Sequence, residues 1–329
     1  MKVLPLVIIL SLLLVTSVKA MSDGVRISYP ADGEWPTTFV DINGNGVHDL
    51  VMEIDPWNVE EAMGTQAMSF DPSTGTITFL SNLTREVLRD PESWVHGYPE
   101  VYFGNKPWNG NSADGFGIEL PMRVPELKHF VFHLEYSIEV QDSRLPLNLA
   151  METWLTRDKY RSTGVFPGEA EIMVWFYYQN MNPAGTKIGE TTVPVIVNGT
   201  LMNATFEVWL DPNMGDGWQY MAFRIEKPMP SASLTIDPTL FVKAAEKFSR
   251  IELDGLYMED WETGTEFGGP STHTARFEWT MRNIQVKYGV LEEWERGKEG
   301  KEHHRRSHRA TTVPISTGPE LTHIHAIPL

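Results

Sequence analysis

Two glutamates stand in surroundings that suit chemistry on a sugar. From Glu169 to Tyr178 the side chains alternate, with Glu169, Glu171, Met173, Trp175 and Tyr177 on one face of an extended strand and Ile172, Val174, Phe176 and Tyr178 on the other. The second face is that of a core. The first presents a carboxylate followed by Met and Trp, a floor on which an aromatic plate stacks against the apolar side of a pyranose while carboxylates react. The competing reading is a strand buried on both sides, with Glu171 satisfied by a neighbour. The other glutamate is Glu266, in Glu262-Thr263-Gly264-Thr265-Glu266-Phe267-Gly268-Gly269-Pro270. Its glycines let the backbone turn tightly around a ligand, although an ordinary polar loop has the same composition.

A third segment suits a hard cation. Asp41-Ile42-Asn43-Gly44-Asn45-Gly46-Val47-His48-Asp49 matches the first half of an EF-hand-like loop, with oxygen donors at relative positions 1, 3 and 5 and a turn glycine at 6. The ligands would be the side chains of Asp41, Asn43, Asn45 and Asp49 and the Val47 carbonyl. The expected ion is a structural calcium. A polar turn rich in Asn-Gly competes, because two donors are neutral and no Glu stands at position 12.

These segments must be positioned by strands. From Val25 to about Tyr288 the chain is written in period two with turn signals between short runs, as in a sandwich or barrel. The clearest run is Phe130 to Val140. Ala67 to Ser81 reads as a hairpin around Asp71-Pro72-Ser73-Thr74-Gly75. Further strands are expected at 25–29, 47–54, 99–103, 145–156, 170–178, 193–197, 202–210, 218–226, 251–261 and 273–288, more than a single small sheet holds. One short helix is expected after Asp237, a good N-cap, with Pro238 at the first helical position and Leu240, Phe241, Ala244, Ala245 and Phe248 at helical spacing.

Composition narrows the function. Among 329 residues there are 27 Lys+Arg and 44 Asp+Glu, a net charge of −17, which repels phosphate backbones and makes nucleic acid a poor partner. With no cysteine, disulfides, thiolate zinc, iron–sulfur clusters and a cysteine nucleophile are all excluded. Lys2, the apolar run Val3 to Val15 and Val18-Lys19-Ala20 read as a secretory signal over residues 1–20, with an uncleaved anchor as the alternative. The run is shorter than the roughly 20 residues a bilayer span needs. Residues 21–290 then form one exported domain, and 291–329, charged and His-containing, is expected to be a disordered tail. A neutral polysaccharide, which needs no charge steering, suits so acidic a protein.

Three segments carry a resemblance. Glu-Ile-Met-Val-Trp at 171–175, Gly-Thr-Glu-Phe at 264–267 and Gly-Tyr-Pro-Glu-Val-Tyr-Phe-Gly at 97–104 resemble the motifs of glycoside hydrolase family 12. Asp-Gly-Glu-Trp-Pro at 32–36 and Gly-Asn-Lys-Pro-Trp-Asn at 104–109 are similar to endo-β-1,4-glucanases of hyperthermophilic archaea, whose relatives carry an Asp-rich loop like Asp41 to Asp49. The resemblance runs from about Val25 to Tyr288. It implies an all-β fold: a β-jelly-roll sandwich of two curved antiparallel sheets, with a concave substrate cleft and one short helix.

The implied activity is endo-hydrolysis of β-1,4-glucan with retention of configuration. Glu171 matches the family's nucleophile and Glu266 its acid/base. Glu152 falls where most members carry an aspartate that hydrogen-bonds the nucleophile, a departure of one methylene. Retention needs carboxyls about 5 to 5.5 Å apart, one ionised and one protonated, so Glu266 is expected to have the raised pKa. Trp57, in Asp55-Pro56-Trp57-Asn58, resembles a tryptophan that stacks on a glucosyl unit on the non-reducing side of the cut. The remaining candidates for substrate contact are Asn58, Tyr98, Glu100, Met173 and Trp175, with Trp35, Trp94 and Trp108 as further cleft aromatics or core. Catalysis itself needs no cofactor. The expected protein is a secreted monomer that meets a membrane only if its leader stays attached. Two alternatives share the features: an endoglucanase preferring xyloglucan or mixed-linkage β-1,3-1,4-glucan, and a non-catalytic glucan-binding sandwich. Paired glutamates favour an enzyme over the latter.

Overall fold

A computed structural model describes residues 24–296. The leader expected over 1–20 and the tail beyond residue 296 lie outside the described residues. Within them, the period-two runs form two sheets. One runs, in order of pairing, Val25–Tyr29, Val59–Asp71, Thr76–Leu88, Ala275–Tyr288, Phe130–Val140 and Ser231–Ile236, all antiparallel. The second runs Thr37–Val40, Leu50–Glu53, Glu100–Asn105, Asp260–Gly264, Leu147–Thr156, Ala170–Gln179, Trp218–Ile225, Thr200–Met214 and Thr186–Val197. The pairs Ile196↔Thr235 and Val197↔Leu234 carry the hydrogen bonding from one sheet to the other along one side.

One neighbour relation departs from the expected antiparallel order. Ala170–Gln179 and Trp218–Ile225 are parallel, with Glu171 opposite Tyr220. A parallel return needs a long crossover, and here the hairpin of Thr186–Val197 and Thr200–Met214 supplies it.

Alternation divides the buried side chains into two sets. Leu149, Met151, Leu155, Ile172, Val174 and Phe176 point between the sheets and meet Phe132, Leu134, Phe277 and Trp279 in the main core. Ala150, Met173, Trp175, Tyr220 and Ala222, on the opposite face of the same strands, form a separate cluster with Tyr98. The strand that seemed buried on both sides is therefore so in fact, and its second buried face is the floor of an open cleft.

The hairpin at Asp71 is longer than expected, extending from Val59 to Leu88; the Asp71 carbonyl accepts the Gly75 N–H at 2.8 Å. The strand expected at 251–261 is instead Tyr257–Met258 followed by Asp260–Gly264, which brings Glu262 into the sheet. Thr37–Val40 and Ser231–Ile236 were not anticipated, being short and flanked by Pro36 and Pro230.

The expected helix is Pro238–Ala245, capped by the Asp237 carboxylate accepting the Thr239 N–H at 3.0 Å. Phe241 packs edge-on against Phe206 and Phe223. Residues 291–296 are also helical, so the boundary expected at 290 falls too early: Leu291 and Trp294, three apart, share one helix side and are buried with Val131 and Ile196. Among the described residues no helix is long and apolar enough to cross a membrane.

Candidate active site

The second sheet carries an open cleft of about 1310 Å³, whose lining includes Glu152, Glu171 and Glu266. Their meeting follows from register. Leu147–Thr156 lies between the other two strands, setting Trp154 opposite Glu171 on one side and Glu152 opposite Glu262 on the other. Glu266 lies just past the end of Asp260–Gly264, over Asn148.

Asn148 holds Glu266 by three hydrogen bonds. Its Nδ2 donates to Glu266 Oε2 at 2.5 Å, its Oδ1 accepts the Glu266 N–H at 2.9 Å, and its own N–H donates to the Glu266 carbonyl at 3.0 Å. The glycines beyond Glu266 are needed for close approach. Gly268, at φ +147°, passes so near His96 that a Cβ would lie 2.4 Å from the ring. His96 in turn pairs with buried Glu86 at 2.5 Å and reaches the Gly269 carbonyl at 3.2 Å. The loop around Glu266 is thus built, and is no ordinary polar turn.

Glu171 Oε2 accepts the indole N–H of Trp218 at 2.9 Å. Burial and the charge of Glu266 push the Glu171 carboxyl up to about 8, against the Trp218 hydrogen bond, which lowers it. Burial pushes Glu266 up to about 7, with the Asn148 amide lowering it. The order is the reverse of the expectation that Glu266 alone is raised. Two facing carboxyls titrate as a pair, so the two raised values belong to the pair and not to either glutamate alone.

Glu152 is held well above the ordinary carboxylate range by burial and by the charge of Glu171. It lies beside Glu262, and the N–H that reaches Glu171 comes from Trp218. Beneath these residues lies a buried set of acids: Glu262 also meets Glu100 and Asp260, all of them raised well above the usual range by burial. Lys106, nearly buried, closes the set with a short contact to Glu100 and ion pairs to Asp55 at 3.5 Å, Glu262 at 3.8 Å and Glu53 at 3.9 Å. Removing that cation would leave buried charge unpaired, typically a loss of about 3 to 5 kcal/mol of stability.

The substrate-contact candidates divide. Trp35, Trp57, Trp94, Trp108, Tyr98 and Trp175 line the cleft, the first four substantially exposed. Three candidates do not line it. Asn58 is buried, its amide donating to the Asp90 and Val95 carbonyls and accepting the Asp90 N–H, so it secures the 90–95 turn. Met173 lies under the floor, its sulfur accepting the Trp175 N–H at 3.5 Å. Glu100 belongs to the buried acid set. Position in a motif could not distinguish a side chain facing the cleft from one facing the next strand.

Asn148, Trp218 and Lys106 were not singled out by their residue types. The available signal for Trp218 was its period-two relation to Tyr220 after the Gly215-Asp216-Gly217 turn; Asn148 shares parity with Glu152 on its strand. In the Asp41 to Asp49 loop, Asp41 accepts the N–H groups of Gly44, Asn45 and Gly46, and Asp49 those of Ile42 and Asn43. Among the described residues no group of three or more His, Cys, Asp or Glu is gathered to hold a metal.

A family model described as Glycosyl hydrolase family 12 matches residues 48–287. Endoglucanase S of Pectobacterium parmentieri is 28% identical over 176 residues, which are 53% of this chain; the chain spans about 61% of the length of that curated relative. Among solved structures, an endoglucanase of Rhodothermus marinus superposes with a TM-score of 0.57 at 24% identity, covering 81% of this chain and 100% of that one. A family 12 xyloglucanase of Bacillus licheniformis in complex with ligand gives 0.60 at 18% identity, covering 80% and 100%. The sandwich is therefore a β-jelly roll.

Proposed function

Since the chain belongs to glycosyl hydrolase family 12, we propose that it is an endo-β-1,4-glucanase that cleaves internal bonds of cellulose and related β-glucans with retention of configuration. The single observation that carries this reading is the convergence of two carboxyls, buried Glu171 and half-buried Glu266, in one open cleft bordered by exposed tryptophans. A glucan-binding sandwich would use the tryptophans but has no need to bring two acids together.

In the proposed reaction the Glu171 carboxylate attacks the anomeric carbon as the glycosidic C–O bond breaks. The bonding pair stays on the leaving oxygen, which takes the proton of Glu266. This gives a glycosyl ester on Glu171 and a shortened glucan. Water then gives a proton to Glu266 and attacks the same carbon; the ester C–O pair returns to Glu171, and the double inversion restores the β-configuration. A nearby negative charge raises a carboxyl's proton affinity, so forming the ester on Glu171 lowers that of Glu266 when it must become a base. We propose that Glu152, which lies in the field of Glu171 at the position of the family's aspartate, helps to orient the nucleophile. Trp57 and Trp175 are the proposed sugar platforms.

An open cleft suits an internal cut along a chain. Incubation with carboxymethylcellulose, barley glucan and xyloglucan, with anomeric NMR at early times, is expected to show β-configured products and fastest cleavage of unbranched β-1,4 runs. α-Configured first products would overturn retention, and exclusive cleavage of xyloglucan would overturn the substrate.

The similarity of residues 32–36 and 104–109 to archaeal enzymes and the cysteine-free composition bear on a further proposal, that the Asp41 to Asp49 loop takes a structural calcium. Its donors are hard oxygens, and Asp49 is raised by burial, with the charges of Asp41 and Asp114 adding to this and the N–H groups of Asn43 and Ile42 opposing it. Chelator is expected to lower the melting temperature by several degrees and added calcium to restore it; an unchanged melting temperature would mean that the loop's own hydrogen bonds suffice. We also propose export as a monomer, to be checked by N-terminal sequencing of protein recovered from the medium.

A further inference from the structure

We propose that Trp218 is a positioning residue for the nucleophile: its indole N–H holds Oε2 of Glu171 in place, so that Oε1 is the oxygen presented to the anomeric carbon. The proposal rests on reading Glu171 as the nucleophile.

The indole is fixed before any substrate arrives. Trp218 opens the strand Trp218–Ile225, which runs parallel to Ala170–Gln179, so the residue two places before Tyr220 comes level with the start of the nucleophile's strand. Trp154, opposite Glu171 on the other side, and Trp108 each stand edge-on to Trp218, at 5.8 and 5.6 Å between ring centroids, and edge-on to one another at 5.3 Å. The turn that delivers Trp218 brings Gly215 against the ring. Gly215 has φ +49°, and a Cβ there would sit 2.1 Å from the Trp218 ring. Two tryptophans and a glycine thus pack against the indole, with its N–H 2.9 Å from the carboxylate.

The titratable groups facing Glu171 are Glu266 and Glu262, with Glu152 and Tyr220 beside them, and all are acids. In that surrounding a donated hydrogen bond favours the ionised form, the one that attacks, and an indole N–H can only donate. A carboxylic acid in the same position could also accept, and would leave the proton's location open. The choice of oxygen follows as well. A carboxylate oxygen already engaged by a donor is the weaker nucleophile, so bond formation falls to its partner.

The test is Trp218→Phe, which keeps the ring packing and removes the donor, assayed on soluble β-glucan across pH with melting temperature alongside. The expected result is a fall in kcat of about tenfold or more, a smaller change in KM, and an acid limb of the kcat/KM profile moved up by about one pH unit. Gly215→Ala, which displaces the ring without altering the indole, is expected to move the limb the same way. It decides the matter if the phenylalanine variant does not fold. A variant that folds with its acid limb unmoved, whatever it loses in kcat or melting temperature, overturns the proposal. Glu171→Gln separates the two levels: if it keeps wild-type activity, the nucleophile assignment itself falls; if it is inactive while the Trp218→Phe limb is unmoved, the assignment stands and only the proposal is lost.

Discussion

Glu171→Gln lowers kcat on β-glucan by about four orders of magnitude while the domain stays folded and still binds cello-oligosaccharides. The amide is nearly isosteric, and it can still meet the Trp218 ring, so packing changes little. It cannot attack the anomeric carbon, and it removes the negative charge that stabilises the oxocarbenium-like transition state. At 1.36 kcal/mol per decade, four decades correspond to about 5 kcal/mol of lost transition-state stabilisation. Because Glu171 is raised chiefly by burial, replacing it with a neutral group relieves a desolvation cost, and the melting temperature should hold or rise. Activity within tenfold of wild type, measured on protein free of wild-type contamination, would remove Glu171 from the mechanism.

Glu266→Ala is expected to behave differently according to the leaving group. On β-glucan, whose departing oxygen needs a proton, turnover falls by about 10³-fold, within the range that general acid–base groups contribute. With a dinitrophenyl cellobioside the aryl oxide departs without protonation, so the first step survives and the glycosyl-enzyme accumulates in a burst. The second step then lacks its base. Azide, a nucleophile that needs no deprotonation, attacks the ester at the anomeric carbon, releases the Glu171 carboxylate and yields a β-glycosyl azide. Recovery of turnover by azide, with that product identified, is the expected signature. Loss of activity equal on both substrates, with no azide product, would place the acid/base elsewhere. The variant also frees Asn148, whose three hydrogen bonds with Glu266 include two to its backbone; those two survive the change, and the loop should keep its shape.

Alternation made much of the molecule legible. Phe130 to Val140 is a strand over those very residues, its alternate side chains from Phe130 to Ile138 all buried, so a one-residue slip would expel apolar groups from the core. The helix after Asp237 was readable from its cap and its proline, both local signals. Glu171 and Glu266 were legible together, through motifs that resemble those of glycoside hydrolase family 12; read alone, a doubly buried strand and an ordinary polar loop competed for them.

What stayed hidden depended on contacts between strands distant in the chain. Trp218 is 47 residues from Glu171, and only the parallel pairing of their strands puts a donor against the carboxylate. Asn148 is 118 residues from Glu266. Asn58 and Glu100 sat in convincing motifs yet face neighbouring segments, because which side of a strand meets the cleft is settled by sheet order. Residues 291–296 read as solvated from their charges, although Leu291 and Trp294 find a hydrophobic site that no local pattern announces.

By itself the sequence determined the class of fold, the absence of covalent staples, the acidity and the two glutamates, all properties of residue type and short-range period. Tertiary structure alone decided which groups surround those glutamates, and therefore their protonation. Burial sets the proton affinity of each carboxyl, and burial is a property of the assembled sheets; the same glutamate on an isolated strand would titrate near its ordinary value of about 4.3.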